Sequence, residues 1–470
     1  MLRVLLVLFV LNAMFVDGFS QSTDEDSYRI DISIDEWKDT VAYLGYYVGA
    51  KTYLEDTATV VNNRVVFEGN KKLTSGMYFL YTPQSLFFEF LVNEQNFSMS
   101  TVYDDITGKM RVGGSPENNL FFEYQRELGA RQKLAQELSD QFKNSTGADS
   151  IAILDRLRAI NVEVKEYQQQ ARDNAPGTFF AEILSLILRP DTEEAPASLS
   201  EDEQKEYQFR KYKQQFWKGS RFENPGTIKN PLFETKVNEY FDKLVYQQAD
   251  SINTALDQFL SVDMDTAVYR YLIVTLTNKY ATSKMMGMDG VYVHMIDNYY
   301  STGKAFWIDE TTLTRMEQNS ERLKPILIGQ QAPLFRSENV EGQTIANPFS
   351  ITDKDYKVLF FYDSGCGHCK KAAPKLMDAF HELQSADISV DVISMNLSDN
   401  KDEWKSFIDT YGLEGQILGD LKGVSNAGYY YYVDSTPKIF ILDEKNKIIA
   451  KKLGAEFIDD FIKDYDAQLE

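Results

Sequence analysis

The 470-residue sequence predicts a multidomain chain: an N-terminal antiparallel β-sandwich, a central all-α domain and a C-terminal α/β domain. Three changes of texture predict it. Residues 28–112 hold short apolar runs that alternate with polar residues. Beyond Ser115, apolar side chains recur at three- and four-residue spacing among charges. From about Ile328, short apolar runs alternate with amphipathic stretches. Length agrees, since roughly 450 residues behind a leader, at about 150 per domain, make three. The divisions fall at residues 21–115, 116–322 and 323–470.

The leader comes first. The chain opens MLRVLLVLFVLNAMFVDGFSQS, with one cation at Arg3 and an apolar run from Val4 to Val16. That run is too short to remain in a bilayer, and Gly18 and Ser20 supply small residues for cleavage. Residues 1–20 therefore read as a secretory signal peptide. Apolar residues occupy every face of the run rather than a stripe, which argues against a buried first helix. No comparably long apolar stretch follows, so no transmembrane segment is expected after cleavage, and the mature protein is expected in the periplasm or cell envelope.

In the β-region, YRIDISID alternates at Ile30, Ile32 and Ile34, and VVNNRVVFEG sets Asn62 and Asn63 between valine-rich runs as a tight hairpin would. GMYFLY and LFFEFLV follow. The region holds no acid pair, histidine or glycine-rich loop that suggests chemistry.

The helical region begins with ENNLFFEYQRELGARQKLAQELSDQF and SIAILDRLRAINVEVKEYQQQARDNA. FAEILSLIL, EYQFRKYKQQFW, LFETKVNEYFDKLVYQQADSINTALDQFL, AVYRYLIVTLTNKYA and VYVHMIDNYY continue it. The proline- and acid-rich residues 189–204 read as an exposed loop. His294, alone in this region, reads as a hydrogen-bonded structural histidine rather than a metal ligand.

In the last region KVLFFY, 357–362, reads as a buried strand. A DSG turn follows, and then a helix with apolar positions Ala373, Leu376, Phe380 and Leu383. ISVDVISMNL is a second strand and DEWKSFIDTYG a second helix ending at Gly412. KIFILDEKNKIIAKKLG makes two strands around a charged turn, and EFIDDFIKDYDAQL a final helix.

Composition excludes one class of partner and narrows another. A net charge of −22 argues against nucleic acid, which needs cationic patches. Two cysteines cannot staple an exported chain of this size, so its cores must hold alone, and 43% apolar composition allows that.

Those two cysteines, Cys366 and Cys369, stand in GCGHCKKAAPK where the first α/β strand feeds its helix. A CxxC pair serves as half a zinc site, a small structural disulfide or an electron-trading dithiol. Zinc needs four ligands, and His294, His368 and His381 offer no second half-site. A disulfide closing so short a loop adds little stability. A thiol at the first turn of a helix faces unpaired N–H groups and the positive end of the helix dipole, which favour the thiolate. On that reading Cys366 attacks, Cys369 resolves the mixed disulfide, and His368 between them tunes the thiolate.

CGHC, followed by Lys370 and by Pro374, resembles the thioredoxin superfamily. STPKIFIL places Thr436 and Pro437 just before a strand, where that superfamily carries its cis-proline loop beside the nucleophile. IGQQAPLF, 328–335, then Gly342, resembles the lead-in of TlpA-like thiol-disulfide oxidoreductases, which add an N-terminal hairpin and a central insertion. The resemblance implies a thioredoxin-like fold over residues 323–470. It also implies a substrate groove shaped by Pro437, with Thr436 and Gly367 as substrate contacts. The β-region, ending VGGSPENNLFFEYQ, is similar to a domain of unknown function that precedes TlpA-like domains in envelope proteins. The helical region, with FWKGSRFENPGTIKNPLFETKVNEYF and MGMDGVYVHMIDNYYSTGKAFW, is similar to a second such domain.

The sequence departs from the pattern at Phe360, where these families keep an acid or polar residue, at Gly365 in place of tryptophan, and at Ala372 in place of a functional glutamate. These changes bear on rate and direction more than on reaction type. The expected function is thiol–disulfide exchange with protein thiols or disulfides, needing no metal, flavin or nucleotide cofactor, with an unidentified partner to recycle the dithiol. The competing reading is an envelope binding protein whose thioredoxin-like domain is ancillary. A thiol peroxidase is weaker, because SITDKDYKVLFFYDSGC lacks the P-x-x-x-T-x-x-C setting such enzymes use.

Overall fold

The computed structural model describes residues 26–350, 353–423 and 425–468. The leader expected at residues 1–20 lies outside them. Among the described residues no helix is long and apolar enough to cross a membrane. The chain divides into two compact units, residues up to Val237 and residues from Asn238, so that each contains part of the helical stretch.

The first unit opens with eight strands, β1 (Tyr28–Asp35), β2 (Val41–Val48), β3 (Lys51–Thr59), β4 (Arg64–Gly69), β5 (Gly76–Tyr81), β6 (Phe87–Val92), β7 (Asn96–Val102) and β8 (Arg111–Gly113). They form two four-stranded sheets, β4-β1-β7-β8 and β3-β2-β5-β6. Ile30, Ile32 and Ile34 are fully buried between them with Phe67, Tyr78 and Phe90, as their alternation predicts.

The antiparallel expectation needs one correction. Five of the six pairings are antiparallel, but β1 runs parallel to β7, Arg29 facing Asn96 and Asp35 facing Val102. Parallel neighbours need a long crossover, and here it comprises the whole of β2 to β6. Asn62 and Asn63 do form a tight turn, both with positive φ (52° and 61°), closed by paired bonds between Val61 and Arg64. The turn does not join two strands of one hairpin, however. Its flanks go to different sheets, β3 onto β2 and β4 onto β1.

The phrase SPENN fastens the first long helix, α1 (Pro116–Phe142), to the edge of the second sheet. Ser115 caps the helix by accepting from Asn118 N. The Asn118 side chain pairs with Leu91 as a neighbouring strand would, accepting from its N–H and donating to its carbonyl, both at 2.7 Å. Glu117 accepts from the N–H groups of Phe179 and Phe180 at 3.2 and 3.0 Å. The loop expected over 189–204 ends early: Ser200 and Glu203 form a capping box that starts a helix at Glu201. The run expected to be helical over 232–260 is broken after Pro231–Glu239 by one π-helical turn, Tyr240–Leu244, and resumes at Ala249.

In the second unit, helices α2 (Thr266–Ala281), α3 (Asp289–Met295) and α4 (Glu310–Leu323) precede a seven-stranded mixed sheet. His294 Nε2 donates to the Asp257 carboxylate (2.8 Å), with Asn298 on its other ring nitrogen, as expected of a structural histidine. The sheet comprises β9 (Ser337–Asn339), β10 (Thr344–Ile345), β11 (Tyr356–Tyr362), β12 (Val390–Asn396), β13 (Gln416–Gly419), β14 (Lys438–Leu442) and β15 (Ile448–Lys451), in the order β10-β9-β13-β12-β11-β14-β15. The β9–β10 pair is the N-terminal hairpin implied by the resemblance. β11, β12 and β13 are parallel and β14 antiparallel, an α/β core with apolar clusters on both faces. On one face pack α5 (Gly367–Ser385), α6 (Lys401–Tyr411) and α7 (Ile458–Ala467).

Lys451 at the end of β15 forms a buried ion pair with Asp289 of α3 and donates to the Ile326 carbonyl at 2.6 Å. Burial pushes the Lys451 ammonium below its ordinary value, and Asp289 opposes that shift. The helices are thereby tied to the sheet edge next to the loop that joins α2 to α3.

Candidate active site

The dithiol sits where β11, central in its sheet, meets α5. Every residue of β11 is buried, and Phe360 stacks on Tyr362 at 5.2 Å, so an apolar ring occupies the position where the resemblance leads one to expect a polar side chain. The turn between strand and helix is tightly tethered. Asp363 accepts from Gly365 N through its carboxylate (2.7 Å) and from Cys366 N through its carbonyl (3.0 Å). Buried Asn396, at the end of the neighbouring β12, accepts from Ser364 N at 3.2 Å. A side chain at Gly365 would press on the Asp363 and Glu403 carboxylates, its Cβ 3.2 and 3.4 Å from them.

Cys366 is the N-cap of α5 and is partly exposed, whereas Cys369, one turn in, is completely buried. Both are free thiols. Gly367 starts the helix with open space around it. Across the site the Thr436–Pro437 peptide bond is cis, and the Cys366 sulfur donates to the Thr436 carbonyl at 3.5 Å. His368 and Pro437 line one groove. The structure thus brings Cys366, Gly367, His368, Cys369, Thr436 and Pro437 to one place, from segments about 70 residues apart in the chain.

The two thiols differ in acidity. Burial pushes Cys366 up, but hydrogen bonds from the Cys369 backbone, the Thr436 side chain, the Cys369 thiol and the His368 backbone outweigh it, and the net displacement is downward. His368 therefore acts on the sulfur through its N–H at the helix start. Burial dominates at Cys369 and pushes that thiol up to about 11, against the opposing effects of the Asp363 backbone and Thr436. One sulfur is held toward thiolate and reachable, the other protonated and enclosed.

A second layer supports Cys369. Trp404 of α6, fully buried in the same cluster, donates to the Tyr362 hydroxyl at 2.9 Å, and Tyr362 stacks on Phe407 at 4.8 Å. Gly419 gives the indole its space, since a Cβ there would lie 2.6 Å from the ring. Asp363, Asn396, Tyr362 and Trp404 were not singled out from the sequence. The DSG turn next to the cysteines was the one available signal, and it identified a turn without a tether.

Three family models match successive parts of the chain. The AhpC/TSA family matches residues 328–451, a domain of unknown function (DUF4369) matches residues 28–121, and another (DUF5106) matches residues 163–325. Sporulation thiol-disulfide oxidoreductase A of Bacillus subtilis (strain 168) is 31% identical over 125 residues, 26% of this chain and 71% of that protein. Thiol:disulfide interchange protein HelX of Rhodobacter capsulatus is 24% identical over 140 residues, 30% of this chain and 76% of that protein. A solved thioredoxin-like protein from Bacteroides caccae ATCC 43185 aligns with 59% of this chain and 98% of its own at 17% identity and a TM-score of 0.47. On the strength of the 31% identical Bacillus subtilis relative and the family matches, the chain belongs to the TlpA-like thiol-disulfide oxidoreductases of the thioredoxin superfamily, with a β-rich domain and a helical region added ahead of its thioredoxin-like domain.

Proposed function

We propose that the chain is exported to the cell envelope and there exchanges electrons with protein disulfides through Cys366 and Cys369. The observation that carries this reading is the placement of two free thiols at the start of α5, Cys366 at the N-cap, partly exposed and against the cis Thr436–Pro437 loop, and Cys369 one turn in and buried. The Cys366 thiolate attacks one sulfur of a substrate disulfide. A Cys366–substrate disulfide forms and the other substrate sulfur leaves as a thiolate that takes up a proton. Cys369 then loses its proton and attacks the Cys366 sulfur. The Cys366–Cys369 disulfide forms, the second substrate thiol departs, and two electrons have passed from the dithiol to the substrate. The reverse sequence oxidises a substrate dithiol.

His368 contributes its backbone N–H to the thiolate, and Thr436 and Pro437 form the opposite wall, with Gly367 leaving the approach open. The apolar leader from Val4 to Val16 supports export, and a separate thiol partner recycles the dithiol. The division into residues 21–115, 116–322 and 323–470 fits this reading, with the exchange confined to the last part. The test is reduction of insulin by the chain from residue 21, compared with Cys366→Ser. Activity is expected in the former and none in the latter at unchanged circular dichroism. Equal turnover in both would overturn the proposal.

A further inference from the structure

A groove of about 740 Å³ opens beside the dithiol, between His368, the Thr436–Pro437 loop and the loop joining α2 to α3. That volume is typical of ligand sites, about 300–1,000 Å³. Five lysines line it, Lys284, Lys371, Lys375, Lys438 and Lys452, against two carboxylates, Asp434 and Glu456. The whole chain carries −22, so the groove concentrates positive charge in a strongly acidic molecule.

Both carboxylates are already engaged, Asp434 with Lys438 at 3.0 Å and Glu456 with Lys375 at 3.3 Å. Lys452 donates to the Ser283 carbonyl at 3.3 Å. Among the described residues, Lys284 and Lys371 are exposed and form no ion pair. Structural partners thus account for Lys375, Lys438 and Lys452 but not for Lys284 and Lys371. Lys371 and Lys375 stand one helical turn apart, where like charges repel, and Lys452 adopts φ 57°, a region unfavourable to non-glycine residues.

We propose that this groove recognises an acidic peptide segment, so that the preferred substrates carry carboxylates beside the cysteine presented to Cys366. The reaction at the sulfur rests on the function proposed above, but the charge recognition can be measured without it. The helical region acquires a role on this basis: Lys284 comes from the α2–α3 loop, which the Lys451–Asp289 pair seats against the sheet.

The experiment uses fluorescent peptides in which serine replaces the target cysteine, flanked by glutamate, glutamine or lysine, titrated against the chain from residue 21. The glutamate peptide is expected to bind about tenfold more tightly than the glutamine peptide at low salt, and the difference to collapse in about 0.5 M salt. Lys284→Glu and Lys371→Glu should each weaken its binding about three- to tenfold, with Lys445→Glu, outside the groove, as the charge control. Indistinguishable affinities for the three peptides, or an equal loss in Lys445→Glu, would overturn the inference. Because no peptide contains a thiol, inactivity toward insulin with charge-selective binding intact would count against the exchange reaction alone.

Discussion

The Cys366 sulfur lies 3.5 Å from the Thr436 carbonyl oxygen, which places the exposed end of the dithiol against the loop that carries Pro437. Reactivity at this contact depends on which sulfur is ionised. Cys366 is displaced below the ordinary thiol value and Cys369 is raised to about 11. Iodoacetamide should therefore label Cys366 with a pH midpoint below the ordinary thiol value of 9.0, while Cys369 stays unlabelled through neutral pH. Peptide mass spectrometry after timed quenching reads both. A Cys366 midpoint equal to that of free cysteine would contradict the assignment.

The same displacements link to stability with opposite signs. The Cys369 contribution is fully present below 9.0, its ordinary value, and is lost as pH rises through about 11. The Cys366 contribution is present above the ordinary value and is lost as pH falls through its lowered one. Reduced Cys369→Ala should accordingly lose less stability than the reduced parent between pH 9.0 and about 11, as measured by urea midpoints.

The Lys451–Asp289 pair is nearly inaccessible to water, its side chains 3% and 8% exposed. Asp289→Ala leaves a buried ammonium without its counter-charge and should cost about 3–5 kcal/mol. The double variant Asp289→Leu/Lys451→Met should recover most of that loss. Denaturant unfolding distinguishes the two. A single variant as stable as the parent would show that water reaches the pair.

Asn118→Ala removes the partner of both the N–H and the carbonyl of Leu91 in a buried setting. At about 1–3 kcal/mol for each unsatisfied group, the first unit should be destabilised by several kcal/mol. Faster amide exchange along β6 is the local readout, and unchanged exchange there would refute the role assigned to Asn118.

Tyr362→Phe keeps the ring stacking on Phe360 and Phe407 but leaves the Trp404 indole N–H unsatisfied. A loss of about 1–3 kcal/mol is expected, together with a change in tryptophan emission. An unaltered melting curve would mean the indole finds another acceptor.

Much of the site was legible because its chemistry is local. Four residues from Cys366 to Cys369 specify both a helix start and the burial of its second thiol, and the spacing of Ile30, Ile32 and Ile34 specifies a buried face. What sequence did not reveal is non-local. Nothing in ATSKMMGMDG, residues 281–290, marks Lys284 as sharing a groove with Lys371, because that placement depends on how α2 and α3 pack on the sheet. β13 escaped notice because four residues between Gly415 and Asp420 are too few for a visible period. The partners of β1 were hidden for a related reason: alternation tells which face is buried but not which strand lies alongside.

That parallel pairing affects the order in which the molecule can assemble. Tyr28–Asp35 lies between β4 and β7, so its backbone is satisfied on both sides only once residues as distant as Val102 are available. During synthesis the first strand must wait, apolar side chains uncovered, while the intervening strands emerge. Sequence-distant closure of this kind slows folding, and it makes the early, half-assembled sheet the stage at which a chaperone would have most to shield.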